Sequence, residues 1–447
     1  MSYIKVRFAP SPTGKLHVGN LRTALVNYLY ARQQNGTFML RIDDTDTERS
    51  RPEFEDAIRA DLQWVGMEWA SEDRQSARLS RYDDALAQLI ASGRAYPCYE
   101  TQEELSLKRK AQLMAGRPPV YDRAGLRLSE VEIAKFEEEG RRPHYRFLLE
   151  HEEVAWDDLV RGPVSYHMSS LSDPVLIRED GRVIYTLASV VDDIDHKITT
   201  ILRGEDHVTN SAAQIQLFEA LGASRPQMGH LALLAGSEGE GLSKRLGSLS
   251  IEQLRGEGIL PAALASLLAR IGTSEPVVAQ AKLADVVAGF DIASFGRATA
   301  KFSTTELNQL NAKLVQNMDF ETASTALSDA GYSAIDAPFW EVVKGNLVTI
   351  QEAGKWWDIC HQPITPIIDD AEFMDVAASL LPNATLDNTS WSSWTKAITE
   401  QTGAKGKALF MPLRQAITGM RSGPDMGGLL PYIGYTRIIE RLKGEIA

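Results

Sequence analysis

The chain has 447 residues, too many for one hydrophobic core; at about 150 residues per domain it should form about three structural units, so a single small binding module is excluded. Hydrophobic residues at 44% and charged residues at 24% are average for a globular chain, which excludes disorder and fibrous repeats. Lys and Arg total 47 against 60 Asp and Glu, a net charge of −13, so non-specific DNA coating is excluded and any nucleic acid must be met by a local basic face. No apolar run approaches the roughly 20 residues that span a bilayer, and Met1-Ser2-Tyr3-Ile4-Lys5 lacks the pattern of a signal peptide. A cytoplasmic protein without a membrane partner is expected, with Cys98 and Cys360 as free thiols.

Ile4 to Phe8 alternates in β-prone residues, and Ala9-Pro10-Ser11-Pro12-Thr13-Gly14 breaks the strand. From His17 to Gln34 the residues Val18, Leu21, Leu25, Tyr28 and Leu29 recur at helical spacing; Gly36 stops the helix, and Thr37 to Ile42 is again strand-like. This βαβ unit implies a parallel sheet with its ligand at the carboxyl ends of the strands. Helical stripes follow at Glu53 to Val65 and Leu79 to Ile90, joined by a polar connection around Ser71 to Ala77. Residues 95–170 read as a charge-rich α+β insertion, with a capping box at Ser129 and Glu132 and an extended run from Tyr145 to Leu149. The parallel pattern then resumes. Val175 to Ile177 and Val183 to Tyr185 flank a Glu179-Asp180-Gly181 turn, and Ile198 to Leu202 precedes a helix from Ser211 to Leu221. Beyond Lys301 the strand signals fade, while Glu306 to Val315, Phe339 to Ile350, Ala371 to Leu380 and Trp391 to Thr399 are periodic helices. The expected fold is an α/β, Rossmann-type parallel sheet split by an insertion and followed by an all-helical domain. Its boundaries fall at 1–94 and 171–240 for the sheet domain, 95–170 for the insertion, 241–310 for a connecting region and 311–447 for the helices.

Two segments carry chemistry. Gly14 and Gly19 have the spacing of a P-loop, but Asn20-Leu21 stands where that motif needs Lys and Ser or Thr. What remains is a Pro/Gly loop leading to His17-Val18-Gly19-Asn20 at a helix start, where free N–H groups and the helix dipole suit a phosphate; an ordinary tight βα connection has the same appearance. Leu242-Ser243-Lys244-Arg245 follows a glycine-rich stretch, and such a Lys-Arg pair can clamp charge developing on a phosphate. Together the two segments resemble the signature motifs of class I aminoacyl-tRNA synthetases. With Arg41-Ile42-Asp43-Asp44-Thr45-Asp46 and Arg203-Gly204-Glu205-Asp206-His207, the chain is similar to the glutamyl-tRNA synthetases in particular, with specific motifs over about residues 1–310 and a weaker continuation that runs from Lys301-Phe302 to Pro412-Leu413-Arg414.

The resemblance implies ATP-dependent activation of L-glutamate and its transfer to tRNA-Glu, tRNA-Gln or both. It implies an acceptor-binding insertion, a stem-contact region at 241–310 and a helical anticodon-binding domain, in a cytoplasmic monomer. His17, Gly19, Asn20, Asp206, Ser243 and Lys244 match positions for ATP, and His17, Lys244 and Arg245 match the catalytic ones, with Mg²⁺ on the departing pyrophosphate. Arg7, Ser11, Asp43, Tyr185 and Arg203 match positions for glutamate. An arginine pairs with a carboxylate and poorly with a carboxamide, which would exclude glutamine. Asp43, where the family usually has glutamate, would meet the substrate ammonium group. Asp192, Asp193 and Asp195 with His196 read as a solvated helix end rather than a metal site. Some family members hold zinc in the insertion through Cys-x-Cys and Cys-x-His pairs; Cys98-Tyr99-Glu100 offers one thiol and 121–127 neither Cys nor His, so no zinc is expected. Lys405, Lys407, Arg414, Arg421, Arg437, Arg441 and Lys443 give the tail a basic bias suited to tRNA phosphates.

Glutaminyl-tRNA synthetase is the nearest alternative. It carries Glu-Pro-Asn where this chain has Ser11-Pro12-Thr13, and its anticodon part is a β-barrel rather than helices. A non-catalytic tRNA-binding paralogue would not need His17, Lys244, Arg7 and Arg203 together. If Lys244 clamps transition-state charge, Lys244→Ala should slow amino-acid activation by about a hundredfold or more, a loss of about 3 kcal/mol, with little change in the KM for ATP. Steady-state kinetics showing unchanged turnover and only a raised KM for ATP would contradict that role.

Overall fold

A computed structural model describes residues 3–236, 239, 250–383 and 385–447. The N-terminal alternation forms β1 (Lys5–Phe8), and the proline-rich loop after it leads to α1 (Val18–Gln33) and β2 (Thr37–Ile42). β1 and β2 pair in parallel from Lys5↔Thr37 to Phe8↔Leu40. Gly36 is required at the return, because a Cβ there would run into the Ile4 carbonyl. After α2 (Pro52–Trp64) the polar stretch read as a connection contains a third strand, β3 (Ser71–Arg74), parallel to β2. Its Ser-Glu-Asp-Arg sequence has no strand propensity. The open edge of β2 supplies the partner, and an edge tolerates charged side chains.

After α3 (Leu79–Ala91) the insertion begins. It comprises β4 (Ala95–Cys98), α4 (Gln102–Met114), α5 (Glu130–Glu138), β5 (His144–Phe147), β6 (Glu153–Asp158) and β7 (Gly162–His167). β4, β5 and β8 (Val175–Ile177) form an antiparallel sheet, and β6 and β7 a hairpin. The Ser129 capping box is present: Glu132 N donates to Ser129 Oγ and Ser129 N to Glu132 Oε2. Beyond β8 the expectation of a strand through Tyr185 is corrected. Val183 makes one bridge to Ile177, and Tyr185 opens α6 (Tyr185–Asp195). β9 (Thr200–Gly204), α7 (Val208–Ala220) and β10 (Gln227–Leu231) complete a second parallel pair. Thr199 N donates to the Lys5 carbonyl at 2.9 Å, so β9 lies beside β1 although nearly two hundred residues separate them. The chain winds outward from β1 through β2 and β3, and from β9 through β10. The crevice at the β1/β9 junction is therefore the place where an open parallel sheet receives its ligand.

The chain divides into two compact units, one of Met1–Arg255 and Leu264–Ser303, the other of Gly256–Ala263 and Thr304–Ala447. The second is helical around buried Trp340, Trp394 and Phe339; the indole N–H groups of Trp340 and Trp394 reach the Met318 and Ala377 carbonyls. The expected helix from Phe339 to Ile350 is shorter, ending at Val343 in a 3₁₀ turn through Gly345. Three of the basic tail residues work inside the domain. Arg441 is fully buried and donates to the carbonyls of Ile417, Gln362 and Ala447, while Arg414 and Arg437 donate to those of Pro424 and His361. Lys405, Lys407, Arg421 and Lys443 are exposed.

In the insertion, burial pushes the Cys98 thiol up to about 11, and the Tyr121 hydroxyl lies 3.4 Å from its sulfur. Tyr121 also reaches Glu100 and accepts the Gly125 N–H, so a tyrosine joins this segment to β4. Among the described residues no group of three or more His, Cys, Asp or Glu side chains could hold a metal. Elemental analysis of the purified protein should find less than one zinc per chain, and chelator treatment followed by Mg²⁺ should leave the activity intact.

Candidate active site

A cavity of about 1090 Å³ opens at the β1/β9 junction, between the loop after β1, the start of α1 and the carboxyl end of β9. Arg7, Ser11, His17, Gly19, Asn20, Asp43, Tyr185, Arg203 and Asp206 all line it. Ser243, Lys244 and Arg245 lie outside the described residues. Leu234 lines the same cavity, and after the undescribed stretch Ser250 bridges His17 while Ile251 N donates to the Leu16 carbonyl at 3.0 Å.

His17 is the N-cap of α1. Its Nδ1 accepts the N–H groups of Gly19 at 3.1 Å and Asn20 at 3.4 Å, and the Asn20 side chain accepts the His17 N–H. The expectation of free N–H groups here is corrected, because the imidazole has taken two of them. Burial holds His17 below its ordinary pKa. The ring is neutral with Nδ1 as acceptor, so its proton sits on Nε2, which is left as the donor.

Arg7 and Arg203 differ in their partners. Arg7 donates from Nε and Nη2 to the two oxygens of Asp193, at 3.0 and 3.3 Å. Arg41 donates to Asp193 at 2.8 Å and to both oxygens of Asp43, at 2.7 and 3.0 Å. Asp192, next along α6, accepts from Arg78 at 2.7 Å, Gln75 at 2.9 Å and Tyr82 at 3.0 Å. The reading of Asp192 and Asp193 as a solvated helix end is therefore overturned: they are 0% and 2% exposed. Burial would lift Asp193, but Arg7 and Arg41 outweigh it and hold the carboxyl below its usual value. At Asp43 burial prevails over Arg41 and raises the carboxyl to about 6.

Arg203 is 5% exposed, yet its hydrogen-bond partners are all neutral. Nη1 donates to the Tyr185 hydroxyl at 2.7 Å, and Nη2 to Ser211 Oγ at 2.5 Å and Gln214 Oε1 at 2.6 Å. Its Nε has no hydrogen-bond partner among the described residues. A buried guanidinium ordinarily sits against a carboxylate. Here the described partners include no carboxylate within hydrogen-bond distance. Exposed Asp206 lies at the rim, in the turn after β9.

Residues 3–309 match the family described as tRNA synthetases class I (E and Q), catalytic domain, and residues 369–446 match an anticodon binding domain. The chain belongs to the class I tRNA synthetases. A protein of Maricaulis maris named glutamate–tRNA ligase 1 is 54% identical over 99% of this chain and 100% of its own length. A glutamate–tRNA ligase of Azospirillum brasilense is 52% identical with the same coverage. Among solved structures, a glutamate tRNA ligase of Elizabethkingia meningosepticum in complex with its amino acid superposes with a TM-score of 0.84 at 27% identity, covering 99% of this chain and 98% of that one.

In this class I synthetase the motifs that fall on described residues mark walls of the cavity, and what they miss is mostly the layer behind. Arg22 of α1, which lines the cavity itself, was also missed: it is buried and donates to the carbonyls of Ala232 and Ile271 at 2.6 and 3.1 Å. Asp192, Asp193, Ser211 and Gln214 make up the layer behind, with Arg41, which the motif contains but to which it gives no role. One signal was available, since Tyr185, Ser189, Asp192 and Asp193 are four, seven and eight residues along one helix, a single face directed at the site. Removing Asp193 would leave two buried guanidinium groups with too little anion, so Asp193→Ala should lower the stability by about 3–5 kcal/mol. A urea-denaturation midpoint close to that of the parent protein would refute this.

Proposed function

We propose that this synthetase is a glutamate–tRNA ligase that activates L-glutamate with ATP and charges tRNA-Glu, tRNA-Gln or both, acting as a cytoplasmic monomer. The names of the relatives support the amino acid, and one observation in the site carries it: the buried Arg203 has only neutral hydrogen-bond partners. In the first step an oxygen of the glutamate α-carboxylate attacks the α-phosphorus of ATP, and pyrophosphate leaves. In the second a hydroxyl of the terminal tRNA ribose attacks the activated carbonyl, and AMP leaves. Both steps need positioning and stabilisation of charge on the phosphate more than covalent help from the protein.

Arg203 meets the side-chain carboxylate, and Tyr185, whose hydroxyl oxygen already accepts from Arg203, keeps its own hydrogen for the same ligand. Asp43 faces the ammonium group and Ser11 adds a polar contact. Arg7, held on Asp193, presents its remaining edge to the α-carboxylate. His17 donates from Nε2 to the phosphates at the start of α1, where Gly19 and Asn20 let the chain approach, and Asp206 faces the nucleotide. Ser243, Lys244 and Arg245 complete the phosphate side. Mg²⁺ arrives with ATP as part of the substrate.

A site built around a buried cation rejects an analogue that leaves it unpaired by roughly 10⁴-fold or more, so glutamine should be a very poor substrate. Arg203→Gln keeps a donor and removes the charge. The ratio of kcat/KM for glutamate over glutamine should then collapse together with glutamate use. If the ratio stays within a factor of a few of the parent value, the reader is Arg7. Charging purified tRNA-Glu and tRNA-Gln separately assigns the acceptor.

A further inference from the structure

Behind Arg203 lie three buried groups that the steps above do not use. Arg203 Nη2 donates to Ser211 Oγ at 2.5 Å, Ser211 Oγ lies 2.7 Å from His230 Nε2, and His230 Nδ1 lies 2.5 Å from Asp158 Oδ2. The chain of contacts runs from β9 through α7 and β10 to the end of β6, in the insertion. Ser211 and His230 have no exposure, and Asp158 is 5% exposed.

The direction of each bond follows from its members. A guanidinium can only donate, so Ser211 Oγ accepts from Arg203; its one hydrogen has two acceptors in reach, the His207 carbonyl at 3.3 Å and His230 Nε2 at 2.7 Å, and the shorter contact takes it. With Nε2 accepting, the ring proton sits on Nδ1 and goes to Asp158. Burial holds His230 below its ordinary pKa, consistent with a neutral ring. Asp158 is fixed as an anion by further donors: the N–H groups of Val160, Arg161 and His230 meet Oδ1 at 3.0–3.1 Å, and Trp156 Nε1 meets Oδ2 at 3.2 Å. The order carboxylate, imidazole, hydroxyl is that of a hydrolytic triad, but Ser211 is sealed from solvent and its oxygen already accepts from Arg203, so it cannot be a nucleophile.

We infer that Asp158, acting through His230 and Ser211, is a positioning residue for the amino acid: it holds the Arg203 guanidinium in the orientation that meets the substrate carboxylate. This rests on the reading of Arg203 given above. An anion placed directly on Arg203 would neutralise it, as Asp193 does for Arg7. An anion reached through two neutral groups balances the buried charge and leaves the substrate-facing edge open.

The test is the aminoacylation kinetics of Asp158→Asn, Ser211→Ala and the double variant, with thermal midpoints measured alongside. In Asp158→Asn a carboxamide N–H must face donors whichever way the amide turns. The His230 proton then moves to Nε2, and the bond to Ser211 reverses. The KM for glutamate should rise about 10- to 100-fold, the scale on which groups behind a ligand act, while the KM for ATP stays within about threefold. Because the two residues act in series, the double variant should be no worse than the worse single one. Ser211→Ala, the smaller change, gives the same decision if Asp158→Asn does not fold. An unchanged glutamate KM in folded variants, an equal loss toward ATP and glutamate, or single effects that multiply in the double variant would each overturn the inference. If Arg203→Gln removes discrimination while Ser211→Ala and Asp158→Asn do nothing, only the relay falls; if Arg203→Gln leaves discrimination intact, the reading of Arg203 falls and the relay with it.

Discussion

The structure depends on how four buried charges at the head of the sheet are balanced. Asp193 of α6 sits between Arg7 of β1 and Arg41 of β2, and Arg41 is shared with Asp43. No member of this set is tolerable inside the protein alone, since an unpaired buried ion costs several kcal/mol. Burial works against the Arg41 charge, yet Asp43 and Asp193 hold its guanidinium well above the ordinary value. Because Arg7 and Asp193 come from opposite sides of the insertion, the charges are satisfied only when both parts of the split sheet have come together. The insertion can thus interrupt the sequence of the domain without interrupting its floor.

On that floor the two arginines have become different reagents. Arg7 has a carboxylate across it and anchors β1 to α6. Arg203 is held by a tyrosine, a serine and a glutamine, all neutral, and keeps its charge for what enters the cavity. Identical side chains at the ends of neighbouring strands differ because of what a helix places behind each. An unfilled partner position beside a buried guanidinium is costly, which is the physical basis of the proposed selectivity against a neutral amide.

The opposite wall applies the same economy to an imidazole. His17 gives its Nδ1 to the first N–H groups of α1 and so leaves Nε2–H as the outward donor. A phosphate there meets one oriented side-chain donor and the helix dipole rather than a ring of bare amides, which suits a phosphate that must change charge and geometry during reaction. The cap also ties the loop to the helix, and the bridge to Ser250 brings the chain back to this point after the lysine motif.

Much of this was legible in the sequence. Period-2 and period-3.6 patterns marked β1, α1, β2 and most later helices, and the capping box at Ser129 located α5, because these signals are local and need only a side chain's immediate neighbours. The motifs on described residues located walls of the cavity for a related reason: loops at the carboxyl ends of strands converge whatever the intervening chain does. Where the sequence misled, a distant partner decided. The tetrapeptide Ser-Glu-Asp-Arg became β3 because β2 had a free edge, Tyr185 opened a helix, and Arg441 went to the interior of the helical unit to cap carbonyls. Asp192 and Asp193 looked like a solvated helix end because acidic residues usually are one. Only the fold brought Arg7, Arg41, Arg78 and Tyr82 around them, and Asp158, His230 and Ser211 into line behind Arg203. Residue type and spacing fix what a side chain is able to do; whether a charge is buried, and against which partner, depends on contacts between separate elements, more than a hundred residues apart for Asp192 and Asp193, and those exist only in the folded protein.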